Sequence, residues 1–111
     1  MTERPDLPAL EAAVQRFAAR LEGYEIESVP RPFGRSIYLR WESRGVKRAI
    51  ELQAATQPPT GVDVWATASK ARKDRSLKLA VLPPRPDPDA LQAALGEAHA
   101  WADQWKVADF Y

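Results

Sequence analysis

The chain is predicted to adopt an α+β fold: an N-terminal helix, an antiparallel meander sheet of about five strands, and a C-terminal helix, with both helices on one face of the sheet. Two observations lead there. The ten prolines fall in four clusters, at Pro5 and Pro8, Pro30 and Pro32, Pro58 and Pro59, and Pro83 to Pro88. Proline fixes φ and lacks a backbone donor, so such clusters punctuate the chain between regular elements. The apolar residues recur every three or four positions at both ends of the chain and every second position in the middle, which are the periods of helix and strand.

The first helix is expected over Leu7 to Glu22, where Leu7, Leu10, Val14, Phe17 and Leu21 form one stripe. Asp6 is placed to cap it, Pro8 sits in its first turn where a missing N–H costs little, and Gly23 can close the far end. A weak strand, Tyr24 to Val29, follows. In the next, Ile37, Leu39 and Trp41 alternate with Ser36, Tyr38, Arg40 and Glu42, so one face is apolar and the other polar. Arg44-Gly45 makes a two-residue hairpin turn into Val46 to Ala54. That turn sets Leu39 against Ile50, Ile37 against Leu52 and Glu42 against Lys47, the same register that hydrophobicity selects. Arg48 then faces Trp41 on the core side near the sheet end, where it can snorkel or stack on the indole. Val62 to Ser69 turns Val62, Val64, Ala66 and Ala68 inward, and Ser76 to Leu82 turns Leu77, Leu79 and Val81 inward. The last helix, Pro88 to Val107, is capped by Asp87 and carries Leu91, Leu95, Ala98, Trp101, Ala102 and Trp105 on one face.

With 111 residues, 45% of them apolar, the chain reads as a single domain, residues 1 to 111, around one core. It contains no cysteine, which excludes disulfides, thiolate metal sites and thiol nucleophiles. No stretch approaches the roughly 20 apolar residues that span a bilayer, and the polar start lacks the apolar run of a signal peptide, so a cytoplasmic protein without membrane contact is expected.

The net charge of +1 conceals a strong asymmetry. Residues 1 to 30 carry three basic and six acidic side chains, residues 79 to 111 two and five, and residues 31 to 78 eleven and four, or −3, −3 and +7. In a meander the Arg44-Gly45 turn and the segment Lys70 to Arg75 emerge at the same end of the sheet. Arg44, Lys47, Arg48, Lys70, Arg72, Lys73 and Arg75 are therefore expected to form one basic edge, a site for a polyanion and above all for nucleic acid. The bland alternative is a set of independently solvated loop charges.

A second candidate is the open face of the sheet. Tyr38 and Trp65 project there among Arg40 and Lys78 and could stack on single-stranded bases. Glu25, Glu27, Glu42, Glu51 and Asp63 lie on the same face, however, with Glu25 set beside Arg40. Trp65 beside Ala49 and Ala80 suggests instead a patch for a partner protein or a homodimer.

Signals of catalysis are missing. His99 is the one histidine; at i, i+4 from Asp103 it reads as a solvated helix-edge residue. Without further histidines, a Gly-x-Ser-x-Gly elbow, a glycine-rich phosphate loop or a Ca²⁺-loop spacing of carboxylates, neither an enzyme nor a metal or organic cofactor is expected. The order helix, meander, helix resembles small modules that bind nucleic acid, secretion chaperones, and immunity or inhibitor proteins, a likeness of topology that carries no motif.

Overall fold

The computed structural model describes residues 3–111. Helix α1 (Leu7–Ala18) is followed by strands β1 (Glu25–Arg31), β2 (Gly34–Ser43), β3 (Val46–Ala55), β4 (Gly61–Lys70) and β5 (Lys73–Leu82), then helix α2 (Pro88–Gln104) and a 3₁₀ turn (Val107–Phe110). The strands form one antiparallel sheet in the order β1-β2-β3-β4-β5, the expected meander, and the helices pack against it.

Both expected N-caps form. The Asp6 carboxylate accepts from Ala9 N at 3.2 Å, and that of Asp87 accepts from the amides of Asp89 and Ala90 at 3.1 Å each, satisfying donors that have no partner within a helix. Helix α1 stops at Ala18, short of the expected Glu22, and Gly23 takes a positive φ four residues beyond the Ala19 cap. Its stripe (Leu10, Val14) and that of α2 (Leu91, Leu95, Ala98, Ala102) enclose a core with Ile37, Leu39, Ile50, Leu52, Val62 and Val64, whereas Trp101, expected on the α2 stripe, is 39% exposed.

The central hairpin has the register its turn implies: Leu39 opposes Ile50, Ile37 opposes Leu52, Glu42 opposes Lys47, and Tyr38 meets Glu51 on the open face. Arg44 and Gly45 both take positive φ, as do Ala71 and Arg72 between β4 and β5. Two-residue turns with this twist match the right-handed twist of the flanking strands. The segment expected as a basic loop is thus a tight hairpin, and β5 starts at Lys73 rather than Ser76.

The phase of β5 departs from expectation beyond Lys78. Trp65 opposes Lys78 but Val64 opposes Ala80, with a bulge between them. The extra residue turns Ala80 and Leu82 toward the core and leaves Val81, expected inward, 70% exposed. A strict two-residue alternation cannot register such an insertion.

A second small core holds Val46, Ala68 and Phe110, with Trp105 against it. The chain after Gln104 turns back and seats Phe110 beneath the hairpin end of the sheet, where a continuous helix to Val107 was expected.

Candidate functional site

The two hairpin turns meet as expected: a methyl group placed on Gly45 would lie 3.9 Å from Lys70 Nζ. The seven basic residues nevertheless divide into two groups with different roles.

Arg44, Arg48 and Arg75 are engaged with backbone carbonyls of the C-terminal segment. Helix α2 has no basic residue in its last turn and ends at an extended Trp105, so its final carbonyls need donors from elsewhere. Arg48 donates to Ala102 O and Arg44 to Asp103 O. The hairpin thereby supplies the positive charge that complements the helix C-terminus. Arg48 also donates to Ser43 O (3.2 Å) and Ser43 Oγ (2.9 Å), while Ser43 Oγ donates to the Asp103 carboxylate (3.2 Å). Asp103 in turn pairs with Arg44 at 3.4 Å and Arg48 at 3.8 Å. Arg48 is 2% exposed, so it does not snorkel; its guanidinium is spent on the Ser43 and Ala102 carbonyls rather than on the Trp41 ring, and a buried guanidinium is lost to any polyanion. Arg75 donates to Asp109 O at 2.6 and 3.2 Å, fastening the 3₁₀ turn. Ser43 and Asp103 were missed as partners; the visible sign was a helix lacking its own C-terminal cap.

Desolvation raises the Asp103 carboxyl, but the Ser43 hydroxyl, Arg44 and Arg48 together outweigh it and hold the group below the usual carboxylate value. Desolvation lowers the Arg48 guanidinium, partly offset by Asp103. A depressed carboxylate contributes stability above its unfolded pKa and loses it as the pH falls through the lower folded value. Asp103→Asn is therefore expected to lower stability at neutral pH and to flatten the acid limb of the stability profile below about pH 4. Denaturant midpoints from pH 7 down to pH 2 test this; parallel profiles for both proteins would remove Asp103 from the acid response.

Lys47, Lys70, Arg72 and Lys73 form the other group. Lys47, Arg72 and Lys73 are exposed and Lys70 half-exposed. Among the described residues, none of the four lies within ion-pair distance of a carboxylate. Lys70 and Lys73 are directly cross-strand neighbours, an arrangement of like charges that costs stability, and Arg72 occupies the turn between them.

On the open face several of the charges are spent on one another. Glu27, rather than Glu25, holds Arg40, and Asp63 pairs with Lys78 at 3.3 Å. Glu51 accepts from Ser36 (2.8 Å) and Gln53 (3.1 Å). Tyr38 and Trp65 project there as expected, but their rings carry cations already: the Arg40 guanidinium lies 4.2 Å from the Tyr38 centroid and Lys78 Nζ 5.4 Å from that of Trp65. A groove of about 590 Å³ crosses this face, lined in part by Tyr38, Arg40, Glu42, Lys47, Thr67 and Ser76, with both signs of charge. Ala80, expected beside Trp65, lies on the opposite face, which breaks the apolar patch.

His99 is half-buried in an aromatic stack rather than a solvated helix-edge residue, and it does not pair with Asp103. Its ring stacks on Trp41 (4.8 Å between centroids) and faces Tyr24 (5.9 Å), with Phe17 edge-on (5.9 Å), and Nε2 shares a 2.8 Å hydrogen bond with the Tyr24 hydroxyl. Burial raises the Tyr24 hydroxyl pKa, with Asp103 adding to it. This stack ties α1, β2 and α2 together and commits the one imidazole to packing.

Among the described residues no helix is long and apolar enough to cross a membrane, and no cluster of three or more metal-ligating side chains occurs. No protein-family model, curated protein or solved structure matches the chain.

Proposed function

We propose that the protein is a non-enzymatic binding module for a polyanion, nucleic acid foremost, and that it engages phosphates through Lys47, Lys70, Arg72 and Lys73 at the hairpin end of the sheet. The observation that carries this reading is the unneutralised pair Lys70 and Lys73, set opposite each other across a turn that adds Arg72. Packing does not require this repulsion, and a bound phosphate relieves it. Two tight turns hold the charges on a rigid frame, so little side-chain ordering beyond the lysine stems accompanies binding. The site is smaller than the seven residues legible in the sequence because Arg44, Arg48 and Arg75 hold the C-terminal segment.

Four phosphate contacts predict a slope of log affinity against log salt of about −3.6 on duplex DNA and about −2.8 on single strands. The test is a salt series with single- and double-stranded DNA and RNA. The variant Arg72→Glu/Lys73→Glu is expected to bind at least tenfold more weakly, with a slope shallower by roughly 2 on duplex. No binding by the wild type at low salt would end this reading in favour of a partner protein.

A further inference from the structure

The two edges of the sheet are unlike. β1 has seven residues, carries Glu25 and Glu27, and contains Pro30, which removes a donor. Strand β5 runs for ten residues without proline or glycine, and every side chain from Lys73 to Lys78 is exposed, Leu77 at 36%. An edge of this kind is a template for another strand unless something prevents pairing.

We infer that β5 pairs antiparallel with β5 of a second copy about a two-fold axis through Ser76, joining the two sheets into one of ten strands. The register follows from backbone and charge together. In a two-residue hairpin the closing pair, Lys70 and Lys73, exchanges both hydrogen bonds, so alternation directs the backbone groups of Lys73, Arg75 and Leu77 toward β4. Those of Asp74, Ser76 and Lys78 face outward. Two-fold symmetry requires one residue to face its own copy. Centred on Ser76, the pairing sets Asp74 opposite Lys78 twice on the open face, giving Lys78 a second carboxylate beside Asp63, and lays the Arg75 stem over Leu77 on the helix face. Centring on Asp74, Arg75 or Lys78 brings like charges together. A Leu77 centre avoids repulsion but forgoes both ion pairs and runs into the bulge beyond Lys78. That bulge limits the contact to about five residues per copy, well below a standard interface, so the dimer is weak and concentration-dependent.

This inference stands apart from the polyanion reading, and its test contains no nucleic acid. Sedimentation velocity over a concentration series is expected to show a reversible dimer for the wild type. Asp74→Lys and Lys78→Glu are each expected to weaken it at least tenfold, because each places like charges opposite one another twice. Mixed in equal amounts, the two variants are expected to recover wild-type affinity as a heterodimer, since the mixture restores both opposite-charge pairs. Circular dichroism of each variant verifies that it is folded. A wild type that stays monomeric up to millimolar concentration overturns the inference. So does a dimer indifferent to both single changes, or one that the mixture fails to restore.

Discussion

Arg48→Ala is expected to destabilise the protein by about 3–5 kcal/mol, the usual cost of removing one partner from a buried charged network. The loss has three sources. The carbonyls of Ser43 and Ala102 lose their guanidinium donor. Asp103 keeps Arg44 but loses the second positive charge. A side chain that is 2% exposed also leaves a void between sheet and helix. Against a total stability of about 5–15 kcal/mol for a domain of this size, the change brings the fold near its limit. Arg48→Met, which retains most of the volume, is expected to recover the packing part only. Urea unfolding of the three proteins measures this. A loss below about 1 kcal/mol for Arg48→Ala would mean that water replaces the guanidinium at the helix end.

Gly34→Ala is the second large effect, about 2–5 kcal/mol, and its origin is steric. Gly34 opens β2 at φ +150°, a conformation that residues with a side chain rarely adopt. A Cβ there would collide with the Ala54 carbonyl oxygen and come within 2.9 Å of Thr56 N. Both are backbone atoms of the neighbouring strand and its extension, and Thr56 N already donates to Phe33 O at 2.9 Å, so neither yields as a flexible side chain would. The expected readout is a lower urea midpoint together with faster amide exchange in the β1–β2 turn. A methyl tolerated without either change would show that the turn has a second, equally stable conformation.

The position of Arg48 separates what is local from what is not. Period-two alternation put Arg48 on the core side, and the register from Arg44-Gly45 set it opposite Trp41; both hold. The destination of its guanidinium lay 54 residues away, at Ala102. Nothing in the spacing of the chain reveals that the C-terminus of α2 ends over this hairpin. The same holds for His99: helical phase places it at the edge of α2, but the ring of Trp41 that covers it arrives from β2.

The sequence by itself determined the element order, the meander, the caps at Asp6 and Asp87, the central register and the convergence of the two basic turns, because each follows from periodicity, turn chemistry or connectivity within a few neighbouring residues. Tertiary structure decided which charges remain free. Arg44, Arg48 and Arg75 are drawn to carbonyls whose position depends on how α2 and the 3₁₀ turn cross the sheet, whereas Lys47, Lys70, Arg72 and Lys73 form no ion pair among the described residues. It also decided the phase of β5 after Lys78, since the bulge lets Ala80 and Leu82 meet Val64 and Val62 at the core and puts Val81 outside. An inserted residue leaves no periodic signal in one strand read alone; only the strand opposite it counts the offset.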